Sequence, residues 1–401
     1  MAKIRDSIGL DIGTSGVRAA HISLAKHPAT LENFGQVSLP TGLVRDGEIL
    51  DVDQVSKAIS ELWRRAGFKK KLVSLGVANQ KTVARPIDLP HMSEEELRGA
   101  LQFQIQEYIP MPIEDAVVDF QVLDEFVTEN NERMMRVLLV AAQKDMVNSC
   151  VAAVEKAGLT LAAIDFIPLT LVRSLGDSAD ALARGSGTGE AIIDVGAGVT
   201  KIVVHEAGVP RFVRVLSIGG NDLTESVAAA LAISLEEAES LKQRLGLPFG
   251  PVAPPAPPAP SAGTPGVDPV TGAPAPAGAP SMPQTPGAPA PSVIPGASMQ
   301  EQNAARILDQ RATAFVDEVR GSLDYYLAGA EGRISRVVLC GGGAKLTNLS
   351  TRLANSLRLP VETGRPLQKM RVGKTGLTEA QLADAEPLMA AALGAALGAE
   401  G

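Results

Sequence analysis

Ser7-Ile8-Gly9-Leu10-Asp11-Ile12-Gly13-Thr14-Ser15-Gly16-Val17-Arg18 is an apolar strand that runs into small residues and re-emerges as a second apolar strand over residues 19–24. That pattern is a β-hairpin, not the strand-to-helix junction of a Walker loop. Its small turn residues let backbone N–H groups approach an anion closely. Thr14 and Ser15 add hydroxyl donors, and Arg18 adds positive charge. Asp11 is placed to hold Mg²⁺ through water, because magnesium keeps much of its hydration shell. Taken alone, the stretch reads more readily as a plain β-turn.

The stretch does not stand alone. Glu190-Ala191-Ile192-Ile193-Asp194-Val195-Gly196-Ala197-Gly198-Val199-Thr200-Lys201 repeats it, again with an apolar strand ending in Asp-x-Gly. In each copy a basic residue stands seven positions after the Asp, Arg18 or Lys201, and a histidine follows, His21 or His205. Such a repeat predicts two related lobes facing one another, with the hairpins clamping a polyphosphate from both sides.

Three further motifs join them. Val337-Val338-Leu339-Cys340-Gly341-Gly342-Gly343-Ala344-Lys345 is a buried strand entering three glycines, with a helix from about Asn348. Consecutive glycines are entropically costly and make sense where backbone lies flat against a planar group or phosphate, or in a tight strand-to-helix connection. Gly219-Gly220-Asn221-Asp222 opens a helix whose N-cap is Asn221 or Asp222. Glu239 and Lys242 share a helix face three residues apart and either grip a ribose or form a surface ion pair of little energetic consequence.

The 401 residues are 45% hydrophobic and 20% charged, a globular composition long enough for roughly two to three domain-sized units. Aromatics at 3% leave no stacking platform for single-stranded nucleic acid, and a net charge of -8 argues against binding a phosphate backbone. Cys150 and Cys340 are the only cysteines, too few for a disulfide scaffold or a thiolate zinc site. His21, His27, His91 and His205 show no zinc spacing. Cys340 reads as a small buried apolar residue. There is no apolar signal region before the first strand and no apolar run near the ~20 residues that span a bilayer. A cytoplasmic protein is expected.

Elsewhere strands alternate with amphipathic helices, which predicts an α/β fold. Helices are expected over 53–66, from Ser93 to Pro110 with a Ser93/Glu96 capping box, over 145–156, from Ser234 with a Ser234/Glu237 capping box, and over 301–327. Strands are expected at 72–77, 137–141, 191–194, 201–205 and 337–340. Residues 250–299 are mainly Pro, Ala, Gly and Ser and read as a mobile, partly polyproline-II insert.

The ordered set Asp-Ile-Gly-x-Ser, Asp-Val-Gly-x-Gly, Gly-Gly-Asn-Asp, Ala-Glu-x-x-Lys and Cys-Gly-Gly-Gly-Ala resembles the actin/Hsp70/sugar-kinase nucleotide-binding superfamily. Within it, 101–115, which contains Glu107-Tyr108-Ile109-Pro110-Met111-Pro112-Ile113-Glu114, is similar to a segment of the PilM proteins of type IV pilus biogenesis. FtsA division proteins are their nearest relatives. The resemblance covers the chain outside the Pro-rich insert. It implies an actin-like two-lobe fold with duplicated ribonuclease-H-like subdomains. The first core subdomain would comprise 1–83, 159–187 and 376–401, and the inserted small α/β subdomain 84–158. The second core subdomain would comprise 188–226 and 330–375, and the second small subdomain 227–329, interrupted by the insert at 250–299.

The resemblance also assigns roles. Gly13, Thr14, Ser15 and Arg18 would form the first phosphate loop, and Gly196, Ala197 and Gly198 the second. Asp11 and Asp194 would flank Mg²⁺, and Gly219, Gly220, Asn221, Glu239 and Lys242 would face ribose and base. Gly341, Gly342, Gly343 and Lys345 would support the adenosine. The C-terminal helix, with Pro387, Ala391, Ala392 and 394–397, would cross between the lobes. The cofactors implied are ATP and Mg²⁺, with at most slow hydrolysis. Arg18 stands where many members have Lys, and the two differ at a phosphate. No water-activating Gln or Glu stands out in the first lobe, and Asp165 reads as a capping or turn residue.

The expected role is a scaffold of the pilus assembly platform, peripheral to the inner membrane through its partners. Its groove beside 84–158 would take the cytoplasmic N-terminal tail of a PilN-like membrane protein, with main-chain bonds and side-chain pockets. Tyr108 and Ile109 either line that groove or pack in the core. Other platform proteins and self-association remain open as partners; nucleic acid is not expected. An FtsA-type division scaffold predicts a basic amphipathic C-terminal helix, and 397–401 carry no basic face. A sugar or acetate kinase needs a base poised on an acceptor hydroxyl, which the small subdomain does not suggest.

Overall fold

The first hairpin forms as expected. β1 (Asp6–Gly13) and β2 (Gly16–Ser23) pair antiparallel from Asp6↔Ser23 to Gly13↔Gly16, leaving Thr14-Ser15 as the two-residue turn. The computed structural model describes residues 6–176, 188–248, 297–329 and 332–398, with backbone alone over 101–104. The insert expected over 250–299 lies, as far as residue 296, outside the described residues.

After β3 (Thr30–Ser38) and the short pair β4 (Val44–Arg45) and β5 (Glu48–Ile49) comes α1 (Val52–Ala66). Asp51 caps it, accepting the Gln54 N–H at 2.9 Å, and Gly67 ends it at φ 70°. Val55, Ile59, Leu62 and Trp63 lie on the face it buries against the sheet, each such side chain contributing roughly 1.5–3 kcal/mol. β6 (Leu72–Val77) and β7 (Val83–Pro90) lead to α2 (Glu94–Gln104), then β8 (Ala116–Val127), β9 (Arg133–Gln143), α3 (Lys144–Lys156), β10 (Thr160–Phe166) and α4 (Ile167–Leu175). The second half runs β11 (Thr188–Val195), β12 (Thr200–Glu206), β13 (Val209–Leu216), α5 (Gly220–Leu231), α6 (Leu235–Leu245) and α7 (Met299–Gly329). It closes with β14 (Arg333–Cys340), α8 (Leu349–Leu357), β15 (Val361–Thr363), β16 (Arg371–Val372) and α9 (Glu379–Leu397).

The sheets carry the duplication. One has the order β10-β6-β1-β2-β3-β16 and the other β13-β12-β11-β14-β15. In each, a central hairpin extends antiparallel on one side, through β3 or β13, and parallel on the other, through β6 and β10 or β14 and β15. The outer face of the first sheet packs on α1 and α3, and that of the second on α5, α6, α7 and α8. α4 and α9 lie between the sheets: Ile167, Leu171, Ala390 and Ala391 share a cluster with Ile192 and Val203, while Met389 and Leu393 pack on Ala20 and Ile22. This is the two-lobe architecture expected from the repeat. A separate sheet, β7-β9-β8, packs its own small core with Leu97, Ile105 and Ile109.

Two local expectations change. The helix starting at Ser93 keeps its capping box but stops at Gln104, followed by a 3₁₀ turn at Ile105–Glu107. The Gln106 side chain bonds Met111 O and the Ile113 N–H, and so stabilises the turn toward Pro112. Ile109 is core, and half-buried Tyr108 packs against it, so packing accounts for both.

Candidate functional site

Both hairpin turns open into one cleft of about 820 Å³. It is lined by Asp11, Gly13, Thr14, Ser15 and Arg18 from the first hairpin and by Asp194, Gly196, Ala197 and Lys201 from the second. Gly220, Asn221, Glu239, Lys242, Gly341, Gly342, Gly343 and Lys345 also line it. Motifs up to about 330 residues apart in sequence therefore meet. The hairpin tips touch: a Cβ built on Gly198 would lie 2.7 Å from Thr14 Oγ1. Gly198 and Gly219 themselves do not line the cleft. Gly198 lies against Thr14, and Gly219 is pressed on the carbonyls of Gly196 and Ala197.

Register sets the charges. Asp11 lies opposite Arg18 and Asp194 opposite Lys201, so each acid meets the base of its own hairpin. Arg18 Nη1 is 3.5 Å from Asp11 Oδ2, and Lys201 Nζ is 2.9 Å from Asp194 Oδ2. Asp11, Asp194 and Lys201 are each only 8% exposed. Burial pushes the Asp11 carboxyl above its ordinary range, against the pull of Arg18 and Lys201. Burial also opposes the Lys201 charge, but Asp194 and Asp11 outweigh it and hold the ammonium above its usual range. Arg18 Nε is buried with no hydrogen-bond partner among the described residues.

The glycine triplet has a packing origin at two of its three positions. Gly341 has φ 79°, and a Cβ there would overlap Asp194 Oδ1 and stand 2.6 Å from Val195 O. A Cβ on Gly343 would stand 2.6 Å from the Cβ of Val195. Only Gly342 has room on its cleft side, its nearest neighbour being Leu388. Lys345 pairs with Asp384, tying this loop to α9, and the Gly341 N–H donates to Pro387 O at 2.8 Å.

The N-cap of α5 is neither Asn221 nor Asp222 but Gly219, whose N–H donates to Asp222 Oδ2 at 2.7 Å. The Gly220 and Asn221 N–H groups donate to Gly196 O and Ala197 O, so these helix-terminal donors tether the second hairpin. The Glu239–Lys242 pair is not a surface pair. Lys242 is 7% exposed and directs its three donors to Gly220 O (2.9 Å), Thr224 Oγ1 (2.8 Å) and Glu239 Oε2 (2.7 Å). Asp165 accepts the Phe166 N–H and pairs with Arg173, a local role at the start of α4.

The magnesium assignment fits this arrangement poorly. Asp194 has Oδ2 on Lys201 and Oδ1 packed on Gly341, and Asp11 faces Arg18. Among the described residues no three His, Cys, Asp or Glu side chains group to hold a metal. Sequence reasoning missed Thr41, Gly47, Thr224, Pro387 and Leu388 as cleft-lining residues. Gly47, which follows Asp46 in a turn-forming Asp-Gly pair, was the one local signal among them.

The fold and cleft define an actin-like protein. A chain of the PilM–PilN type IV pilus biogenesis complex superposes with TM-score 0.75 at 24% identity, covering 100% of this chain and 99% of that one. The ethanolamine utilization protein EutJ from Carboxydothermus hydrogenoformans superposes with TM-score 0.51 at 16% identity, covering 98% and 89%. At those identities the likeness is one of fold. The sequence model of the type IV pilus assembly protein PilM matches residues 9–250, and the chain belongs to that family. The model of the cell division protein FtsA matches residues 191–394. The FtsA of Bacillus subtilis (strain 168) is 26% identical over 263 residues, 60% of this chain and 58% of that protein. No helix among the described residues is long and apolar enough to cross a membrane.

Proposed function

We propose that this protein is a nucleotide-dependent scaffold of a type IV pilus assembly platform. It holds ATP between its two hairpins and engages the cytoplasmic N-terminal tail of a PilN-like inner-membrane protein, which keeps it peripheral to that membrane. The observation that carries the nucleotide half is the convergence of both hairpin turns on one cleft, with buried Arg18 Nε lacking a hydrogen-bond partner among the described residues. A polyphosphate supplies acceptors to Thr14, Ser15 and Arg18 together, and guanidinium–phosphate bonds are among the stronger hydrogen bonds. Glu239, Pro387 and Leu388 also line the cleft and are the residues left to face the nucleoside in this reading. Because α4 and α9 run between the sheets, ATP bridging the hairpins fixes the lobe angle that α9 transmits.

Family membership supports the tail-binding half, as does the likeness to a chain described in a PilM–PilN complex. The small sheet ends in an edge strand, β8, with Val117, Val122 and Val127 exposed. An edge of that kind can accept an extended peptide. An FtsA-like division scaffold is the second reading, favoured by the match over 191–394.

Calorimetric titration with ATP tests the nucleotide half. Arg18→Ala is expected to weaken binding about tenfold or more, the loss of a charge-assisted phosphate contact. Titration with a synthetic tail peptide, with and without ATP, tests the partner. Wild-type affinity in Arg18→Ala refutes the first, and no peptide binding in either state leaves the division reading.

A further inference from the structure

A buried ammonium must find acceptors for its three N–H donors, because an unsatisfied buried charge is costly. The two buried lysines of the cleft differ in this respect. Lys242 directs all three donors to protein oxygens, on Gly220, Thr224 and Glu239. Lys201 is equally buried, yet its one hydrogen bond among the described residues goes to Asp194. Two of its donors are left over, and the side chain lines the cleft. It projects from the second hairpin, directly below the tip that meets Thr14 of the first.

We propose that Lys201 is the polyphosphate-binding cation of this site and supplies the charge that a divalent metal would otherwise bring, so that nucleoside triphosphate binds without Mg²⁺. The inference rests on the nucleotide reading of the cleft given above. Magnesium requires near-octahedral oxygen ligands, usually one or two carboxylates with waters and phosphates. Here Asp194 gives Oδ2 to Lys201, its Oδ1 lies close to Gly341, and Asp11 faces Arg18. An ammonium held by Asp194 already stands near enough to both acids for each to favour its charge. A lysine is a compact point charge with donors that rotate, suited to phosphate oxygens as a metal substitute. Arg18 approaches from the opposite hairpin, so the phosphates meet one fixed cation from each lobe. Lys242 does not share this role, since its donors are already engaged.

The test is titration of the full-length protein with ATP in excess Mg²⁺ and in EDTA. The expected result is a Kd that differs less than about threefold between the two buffers. Lys201→Met is expected to bind ATP at least about tenfold more weakly in EDTA and to become Mg²⁺-dependent, while Lys242→Met keeps the wild-type ratio between buffers. Wild-type protein that binds ATP only with Mg²⁺ overturns the proposal without any variant. So does Lys201→Met that binds in EDTA as wild type does. If Lys201→Met misfolds because Asp194 is left buried alone, the double variant Lys201→Met/Asp194→Leu carries the same comparison. Absence of ATP binding in both buffers refutes the nucleotide reading itself, a different result from metal-dependent binding.

Discussion

Replacing Gly394 with alanine sets two known effects against each other. Gly394 sits inside α9, where alanine is favoured over glycine by roughly 0.8–1.0 kcal/mol in a helix interior. The site leaves no room for a methyl group, however. A Cβ there would overlap the Thr170 carbonyl group and stand 2.8 Å from the Thr170 Cα, all backbone of α4. No rotamer change relieves a clash with backbone, so α4 and α9 must move apart. Overpacking costs typically about 1–3 kcal/mol, and an overlap with backbone belongs at the upper end, about 2–3 kcal/mol, which exceeds the propensity gain and leaves a net destabilisation of about 1–2 kcal/mol. The other side of α9 is as tightly held, because Gly9 of β1 lies against the Ala392 and Ala396 backbone. The natural control is Gly321 of α7, also within a helix, around which a Cβ meets none of the described residues within 4 Å. Gly321→Ala is expected to stabilise by about 0.5–1 kcal/mol. Urea unfolding followed by far-UV circular dichroism measures both. Gly394→Ala should lower the midpoint and Gly321→Ala should raise it. A Gly394→Ala protein as stable as wild type would mean that α9 does not cross α4 at backbone contact, and the lobe arrangement described here would be wrong.

The thiols offer a simple check of burial. Burial pushes Cys150 up to about 11 and Cys340 well above its ordinary value, so native protein near pH 8 should take up no thiol reagent and denatured protein should react at both positions. Glu239 gives a pH signature. Burial alone would raise its carboxyl, but Lys242 and Thr224 outweigh that and hold it below the ordinary glutamate range. A depressed carboxyl contributes stability fully above its unfolded value and loses it as pH falls through the folded one. Thermal melts from pH 7 downward should therefore show wild type losing its margin over Glu239→Gln in the acid range. A constant margin across that range would contradict the assigned pairing.

What could be read from sequence was set by local physics. The Thr14-Ser15 turn, the four-residue turn between Val195 and Thr200, and the Ser93 and Ser234 capping boxes each depend on neighbours within a few residues. The repeat of one such hairpin was enough to anticipate two matching sheets. The strand β8 was not legible, because Asp119, Asp124 and Glu125 interrupt its apolar residues, as suits a strand at an open edge. Site geometry was not legible where donor satisfaction is tertiary. Nothing near Lys242 in sequence reveals that Gly220 O and Thr224 Oγ1 occupy it, and nothing near Gly341 reveals the Asp194 carboxylate against which it packs. Conversely, the basic residue of the second hairpin was noticed as part of a pattern, but only burial and hydrogen bonding separate Lys201 from its neighbours as the cation with donors to spare.

In the proposed clamp both hairpins contact the same nucleotide, and amide hydrogen exchange with and without ATP measures this most directly. The expected result is slower exchange on addition of ATP at Gly13–Ser15 of the first turn and, together with it, at the turn between Val195 and Thr200. Protection confined to one hairpin, or to neither while ATP is bound, would contradict a clamp formed by the two.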